Sequence, residues 1–195
     1  MLLIAGLGNF GPEYEGTRHN MGFEVVDLLA EDLGLKISRT GFEGVYAKGA
    51  AYGNQVMILK PLTYMNLSGT SVAPAMRYYK VDLSDLIVVC DDMALLPGQF
   101  RPRIKGSSGG QKGLQNIIDI LGTDEFKRVR IGIGEPPRKS ATIDYVLGKP
   151  NRSDREKIDA SVDEAIKFLH LVIKDGYQRA MDAISRTLIR VDING

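Results

Sequence analysis

The sequence is poor in several residue types, and their scarcity excludes whole classes of protein. Its 195 residues include one cysteine, two histidines and no tryptophan. A single cysteine cannot form an internal disulfide, and such scarcity is typical of the reducing cytoplasm. A metal site needs about three protein ligands, and two histidines far apart in the chain supply few of them. We therefore expect a cytoplasmic protein with neither disulfides nor a bound metal.

The chain also lacks a charge imbalance and a long apolar run. Its 25 basic and 24 acidic residues give a formal net charge of +1, which indicates nothing about nucleic acid. No apolar run reaches about 18 residues, so we expect no membrane span. The first residues, MLLIAGLGN, lack the basic leader of a secretory signal and are typical of a first strand. Between Gln99 and Lys139, however, nine basic residues stand against four acidic ones, which suits a phosphate-bearing partner.

Short apolar segments alternate along the chain with segments of helical periodicity. Strands are predicted at residues 2–7, 43–50, 55–60, 86–90, 99–104 and 129–134. Helices are predicted at residues 21–33, from 66 towards 80, at 114–121, and after a capping box at Ser153–Glu156. This order favours an α/β fold in which a mixed twisted sheet is flanked by helices. We expect a single domain over residues 1–186 and a loosely held tail over residues 187–195.

The segment IAGLGNFG carries Gly6, Gly8 and Gly11 in the G-x-G-x-x-G spacing of dinucleotide-binding proteins. In those proteins a helix begins within the motif and points its N-terminus at the pyrophosphate. Here a polar stretch follows, and no helical periodicity begins before Met21. A nicotinamide-dependent oxidoreductase is therefore disfavoured. The glycines instead predict a sharp turn that places Asn9 at the end of the first strand.

Polar side chains follow three of the predicted strands. Asn9 and His19 come after the first strand, Asn66 follows the strand that ends at Lys60, and Asp91 follows the strand LIVVC. In open α/β sheets ligands bind at the carboxyl ends of strands. A histidine can take a proton from water, a carboxylate can orient it, and amides can donate to an oxyanion. The set predicts hydrolysis of an activated carbonyl, most easily an ester.

Other residues leave alternatives open. Asp92 competes with Asp91 for the role of the carboxylate. Cys90 ends an apolar strand, which favours a packed thiol over a nucleophile. His170 lies off the apolar stripe of its helix, which indicates a surface residue. His19 itself is compatible with a loop histidine that bonds only to the backbone.

The segment RPRIKGSSGGQKGL combines basic residues with a glycine-rich loop. Alternation places Arg101, Arg103 and Lys105 on one face of a strand. A helix that begins after Gly109–Gly110 adds free N–H groups, and Arg130 follows on the next strand. A solvated basic face is the alternative, but the two features together favour phosphate binding.

Four sequence blocks carry a resemblance to a known family. They are GLGNFGPEYEGTRHNMGF, KPLTYMNLSG, VVCDDMALLPG and GSSGGQKGLQNIIDILGTDEFKRVRIGIG. Between about Leu2 and Leu147 they resemble the bacterial-type peptidyl-tRNA hydrolases. The resemblance implies a phosphorylase/hydrolase-like α/β fold and hydrolysis of the ester that joins a peptide to the terminal ribose of tRNA, which recycles tRNA lost from stalled ribosomes. It also implies a cytoplasmic monomer without cofactor, metal or obligatory protein partner.

The resemblance assigns roles to residues in the site. It makes His19 the base that activates water and Asp91 the residue that holds its basic form. It makes Asn9 the group that distinguishes blocked from free aminoacyl esters. Met65 and Asn66 would line the peptide and carbonyl site.

The resemblance further implies contacts to the tRNA. Tyr14 and Tyr64 would contact its acceptor end. Arg103 and Arg130 would grip a phosphate. Lys112 stands at a position that contacts substrate in the family.

The sequence departs from the family pattern at four positions. Phe10 replaces a proline of G-N-P-G, and Ala94 replaces a second aspartate of the acidic loop. Gln111 and Lys112 replace the histidine and asparagine of G-G-H-N-G. Since a lysine cannot accept a hydrogen bond, the substrate contact at that position changes. The pair of His19 and Asp91 is intact.

Two further expectations concern a lid segment and a rival function. The segment GEPPRKSATIDYVLG, residues 134–148, is a candidate lid beside the cleft. A non-catalytic RNA-binding protein of the same fold is the main rival to the esterase, because folds host many functions.

Overall fold

The computed structural model describes residues 1–193, apart from the side chains of Lys139 and of residues 186–193. Its strands are β1 (Leu2–Gly6), β2 (Arg39–Gly41), β3 (Gly44–Ala51), β4 (Asn54–Pro61), β5 (Leu86–Asp92), β6 (Phe100–Arg103) and β7 (Lys127–Gly132). Its helices are α1 (Met21–Asp32), α2 (Gly69–Tyr79), α3 (Lys112–Leu121), α4 (Thr142–Leu147), α5 (Arg152–Asp175) and α6 (Tyr177–Ile193). These elements confirm the predicted α/β class.

The seven strands form one mixed sheet in the order β2-β3-β4-β1-β5-β7-β6. β1 pairs in parallel with β4 and β5, and β5 pairs in parallel with β7. β3 and β6 run antiparallel to their neighbours β4 and β7. The carboxyl ends of the four parallel strands β4, β1, β5 and β7 therefore meet at one edge of the sheet.

Each face of the sheet is covered by its own helices. Ile4 and Val89 face α1 and α5, whereas Leu3 and Val88 face α2 and α3, as the alternation of side chains requires. Every residue of β5 is buried, which explains the apolar run LIVVC at residues 86–90. Cys90 is fully buried in the core beneath α2 and α3, and burial raises the pKa of its thiol. The prediction of a packed rather than reactive cysteine is confirmed.

Some local features differ from the predictions. β2 and the short helix α4 were not predicted, and α4 lies within the candidate lid. The capping box at Ser153–Glu156 is wrong, because Asn151 caps α5 by accepting a hydrogen bond from the Asp154 N–H at 2.8 Å. The predicted strand at 99–104 is shorter, since β6 ends at Arg103.

The end of the chain leaves one prediction open. The backbone of α6 is helical to Ile193. The expected loose attachment of residues 187–195 concerns side chains and terminal residues outside the described part, so it stays a prediction, as does the single domain over residues 1–186. Within residues 1–193, no helix is both long and apolar enough to cross a membrane.

Candidate active site

The glycines of IAGLGNFG serve close packing rather than phosphate binding. A Cβ on Gly6 would lie 2.3 Å from the carbonyl oxygen of Gly22 in α1, so the helix approaches the sheet backbone closely at this point. Gly11 has φ of 119°, which other residues rarely adopt, and it turns the chain away from the sheet. α1 begins only at Met21, so its N-terminus does not belong to the motif. The structural context of a dinucleotide fingerprint is absent from this part of the chain.

The turn before α1 carries His19 into the edge of the sheet. His19 lies on a short 3-10 turn, Arg18–Asn20, and Asp91 is the penultimate residue of β5. The His19 Nδ1 and Asp91 Oδ2 atoms lie 2.9 Å apart. With Asp91 ionised, Nδ1 donates this bond, and Nε2 remains free to accept a proton.

Burial and the aspartate act on His19 in opposite directions. Burial lowers the pKa of His19 because it disfavours the charged ring, but the charge and hydrogen bond of Asp91 outweigh burial. The pKa of the imidazole is therefore raised above its ordinary value of 6.5, although the charge of Lys112 lowers it in part. The site stabilises the imidazolium that forms when the ring takes a proton.

The choice between the two aspartates is resolved by their directions. Asp92 Oδ2 accepts a hydrogen bond from Arg130 Nη1 at 3.1 Å, and Asp92 Oδ1 accepts one from the Ala94 N–H at 2.9 Å. Successive strand residues point to opposite faces. Only Asp91 therefore reaches His19.

Gln111 holds the other oxygen of Asp91, a contact that the sequence analysis missed. Its Nε2 donates to Asp91 Oδ1 at 3.0 Å, and its Oε1 caps α3 by accepting from the Leu114 N–H at 2.7 Å. Gly109 and Gly110, with φ of 61° and 87°, provide the turn that leads into this cap. The position of Gln111 just before the predicted helix could have indicated the capping role, because N-cap side chains accept hydrogen bonds from the first N–H groups of a helix.

The Asn9 side chain is fixed by its neighbours. Its Oδ1 accepts from the Met65 N–H at 2.8 Å. Its backbone N–H and carbonyl both bond to the amide of Asn20, at 2.8 and 2.9 Å. Because the oxygen is occupied, the Nδ2 group of Asn9 is the end that can donate to a ligand.

These residues line a cavity of about 520 Å³, which we call the catalytic cavity. It brings together seven of the predicted site residues: Asn9, His19, Tyr64, Met65, Asn66, Asp91 and Lys112. Four apolar residues that also line the cavity were missed as a group: Met93, Ile143, Val146 and Leu147. The last three lie on α4, so the candidate lid does border the cavity. A mixed wall of this size is typical of small-molecule sites.

Three predicted tRNA contacts lie outside the catalytic cavity. Tyr14 is half-buried on a separate turn. Arg103 is exposed on β6, whereas Arg130 pairs with Asp92 and donates to the Ser107 carbonyl. Lys105 follows the end of β6 and pairs with Glu125, so its predicted place on that strand is wrong.

The basic strand residues nevertheless share a face of the sheet. In the antiparallel ladder Arg101 lies opposite Arg130, and Arg103 opposite Arg128, so the four side chains project to one side. Arg128 was missed: it is fully buried and donates to the carbonyls of Gly106 and Asp124, which holds the glycine-rich loop in place.

His170 lies on α5, away from the catalytic cavity. Its Nδ1 contacts the hydroxyl of Tyr52 at 2.9 Å, and its Nε2 lies 3.4 Å from Asp32. The described residues contain no group of three or more His, Cys, Asp or Glu side chains that could hold a metal ion. His170 therefore does not line the cavity that contains His19 and Asp91.

A buried His–Asp pair with amide donors, set at the carboxyl edge of an α/β sheet, has the groups that hydrolysis of an ester by a general base requires. The family model for peptidyl-tRNA hydrolase matches residues 3–191. The chain belongs to the peptidyl-tRNA hydrolase family. This confirms the resemblance that the sequence blocks carried.

Individual relatives are similar over nearly their whole length. A peptidyl-tRNA hydrolase of Bacillus subtilis (strain 168) is 48% identical over 182 residues, covering 93% of this chain and 97% of the relative. One of Clostridium botulinum (strain Hall) is 44% identical over 191 residues, covering 98% and 100%. The crystal structure of peptidyl-tRNA hydrolase from Acinetobacter baumannii superposes with a TM-score of 0.89 at 36% identity, covering 93% of each chain. The predicted fold class is confirmed by this neighbour.

Proposed function

We propose that this protein hydrolyses the ester between the terminal ribose of tRNA and a peptide or N-blocked amino acid, and so returns tRNA to translation. Membership of the peptidyl-tRNA hydrolase family supports the reaction. The observation that carries the mechanism is the 2.9 Å contact of His19 with Asp91 at the wall of the catalytic cavity. The remaining residues take supporting roles around that pair.

The reaction proceeds by general-base attack of water. His19 Nε2 takes a proton from a water molecule while Asp91 keeps the proton on Nδ1. The resulting hydroxide adds to the ester carbonyl and forms a tetrahedral oxyanion. His19 then returns the proton to the ribose oxygen as the C–O bond breaks, which frees the tRNA hydroxyl and a peptide carboxylic acid that loses its proton to solvent.

Three side chains of the catalytic cavity act on the carbonyl oxygen and the acyl group. The Nδ2 group of Asn9 is available because Met65 holds the amide oxygen. Asn66 lines the same cavity with an exposed side chain. Lys112 supplies a cation at the start of α3, where it stabilises a developing negative charge but accepts no hydrogen bond.

The tRNA itself is held on the side of β6 and β7. Arg103 is exposed and contacts a phosphate directly, whereas Arg130, paired with Asp92, contributes to the positive potential around it. Tyr64 is more than half exposed at the cavity mouth and stacks on the acceptor end, and Tyr14 contacts it from the neighbouring turn. The protein acts as a cytoplasmic monomer without an obligatory protein partner.

The test uses the two histidines as a matched pair. His19→Ala is expected to lower kcat on N-acetylaminoacyl-tRNA by about 10²–10⁴-fold, the usual worth of a general base, while tRNA binding persists. His170→Ala makes the same change outside the cavity and is the control. A His19→Ala protein with full turnover would remove the mechanism. A wild-type protein that binds tRNA without turnover would instead support the non-catalytic rival.

A further inference from the structure

Four aromatic rings lie in contact at the flank of the sheet opposite to β6. They belong to the β2–β3 hairpin and to the end of α2, and we call them the aromatic cluster: Phe42, Tyr46, Tyr78 and Tyr79. The ring centres of the contacting pairs lie between 4.9 and 6.3 Å apart. None of the four residues lines the catalytic cavity. The cluster is therefore separate from the site of the proposed hydrolysis.

The position of Phe42 in this cluster requires a strained backbone. Phe42 and Glu43 form the two-residue turn between β2 and β3, and their φ angles are 57° and 50°. Such turns favour asparagine, aspartate or glycine, because a bulky side chain is strained at positive φ. The Glu43 carbonyl accepts a hydrogen bond from the Leu62 N–H at 2.8 Å, which holds the turn in place. Strained residues that are held by their surroundings cluster at binding sites, so the ring of Phe42 indicates one here.

The aromatic cluster presents one ring largely to solvent on a fixed base. Tyr78 is 72% exposed, more than any other aromatic residue in the described part of the chain. Phe42, Tyr46 and Tyr79 are partly buried and pack against the core beneath α2. The hydroxyls of Tyr46 and Tyr79 lie 3.2 Å apart, which joins the hairpin to the helix. An exposed ring on a fixed base can stack on a planar ligand at a low cost in conformational entropy.

Positive charges surround the aromatic cluster. Lys48 Nζ lies 4.7 Å from the centre of the Tyr79 ring. Arg39 lies opposite Tyr46 in the ladder of β2 and β3. Two exposed cations flank the two tyrosines of α2 along the chain: Arg77 and Lys80. Among the side chains that the structure describes, no carboxylate forms an ion pair with any of these four cations.

We propose that the aromatic cluster binds single-stranded RNA, with a base stacked on Tyr78 and the phosphates beside the four cations. Aromatic platforms combined with free cations are the general means by which proteins hold single strands. The carboxylates of the same segments are fewer than the cations, since Glu43 and Asp82 stand against four. The surface therefore attracts a polyanion. The choice of RNA as the polyanion rests on the proposed function, which places this protein among RNA molecules.

The test measures binding of a fluorescent oligouridylate of about eight nucleotides by anisotropy, in the size range of known single-strand sites. Tyr78→Ala is expected to raise Kd by about fivefold to tenfold, the effect of losing one stacked base. Tyr78→Phe keeps the ring and is expected to stay within about twofold of the unsubstituted protein, because stacking needs no hydroxyl. Tyr52→Ala removes a tyrosine of the β3–β4 turn that is 52% exposed. It is the control and is expected to leave Kd unchanged.

The cations are tested through the salt dependence of Kd. Lys48→Gln is expected to reduce the slope of log Kd against log salt concentration by about 0.7, the share of one phosphate contact with a single strand. Lys174→Gln removes an exposed lysine at the end of α5 and is expected to leave the slope as it is. Equal slopes for Lys48→Gln and the unsubstituted protein would overturn the phosphate contact.

The remaining outcomes separate the aromatic cluster from the RNA contacts proposed on β6. Tyr78→Ala is expected to have the same effect on Kd in an Arg103→Ala protein, because distant sites act independently. Oligonucleotide binding that depends on Arg103 but not on Tyr78 would overturn the proposal. So would sedimentation of a dimer that Tyr78→Ala dissociates, since the cluster would then join two copies of the chain. The oligonucleotide carries no ester, so a failure of the His19 mechanism would leave these measurements unaffected.

Discussion

The two histidines of this chain each lie beside an aspartate, yet the two pairs differ in burial. His19 and Asp91 are 12% and 3% exposed, with 2.9 Å between Nδ1 and Oδ2. His170 and Asp32 are 23% and 56% exposed, with 3.4 Å between Nε2 and Oδ2. Water screens the charge of an exposed carboxylate, whereas a buried carboxylate interacts with its partner at lower effective dielectric. Residue types alone therefore do not distinguish a buried pair that lines a cavity from a surface contact.

The pairs also differ in what holds the aspartate. Asp91 is the penultimate residue of a fully buried strand and accepts a second hydrogen bond from Gln111, which is itself fixed as the cap of α3. Asp32 is the last residue of α1, with more than half of its side chain in solvent. The turn of His19, strand β5 and the start of helix α3 thus meet at the pair of His19 and Asp91, and their contacts fix the direction of the imidazole.

The largest effect is expected from exchanging the carboxylates. Asp91→Asn removes the charge that stabilises the imidazolium and allows the wrong tautomer, so kcat should fall by about 10²–10⁴-fold. Asp32→Asn makes the same change in the exposed pair and should leave kcat unchanged. The measurement is single-turnover hydrolysis of N-acetylaminoacyl-tRNA. Comparable activity of the two variants would show that burial of the carboxylate is unimportant.

An intermediate effect is expected from removing the second hydrogen bond to Asp91. Gln111→Leu should lower kcat by about tenfold, the worth of one hydrogen bond to a charged group, with a smaller change in KM. Loss of the cap should also reduce the free energy of unfolding by about 1 kcal/mol, measured by urea titration.

Gln178→Leu, on the exposed face of α6, is the control for Gln111→Leu. If Gln111→Leu lowers the stability without any change in kcat, Gln111 acts only as a helix cap.

The smallest effect is expected in the pH dependence. Since His19 must be neutral to accept a proton and its pKa is raised, kcat/KM should rise with pH to a plateau, with a midpoint above 6.5. Lys112 lowers this pKa, so Lys112→Gln should move the midpoint to higher pH by about a few tenths, the size expected for a screened charge.

Lys174→Gln removes an exposed lysine at the far end of α5 and should leave the midpoint in place. A midpoint that moves to lower pH in Lys112→Gln would contradict the assignment of His19 as the titrating group.

Much of the fold and of the site could be predicted from the sequence because the decisive patterns are local. Apolar runs and their glycine stops gave the strands, and α1 begins at Met21 as predicted. The polar residues after the strands meet because parallel strands share one carboxyl edge. His19, Asn9 and Asn66 line one cavity for this reason.

The remaining features depend on contacts between distant segments. Choosing Asp91 over Asp92 requires knowing that α1 covers the face to which Val89 points, since Asp91 shares that face by alternation. The bond from Gln111 to Asp91 joins residues 20 positions apart, so the position of Gln111 before a helix indicates the cap but not this partner. Helix α4 has six residues, too few for a periodic pattern.

The contacts of Arg18 have a consequence for any redesign of the cavity. Its guanidinium lies 4.1 Å from the centre of the Tyr145 ring and donates to the carbonyl of Lys149 at 3.0 Å, so the end of α4 is fastened to the turn that carries His19. Arg18 thus links α4, which lines the catalytic cavity, to the turn of His19. Substitutions that move α4 will also move the imidazole unless the contacts of Arg18 are retained.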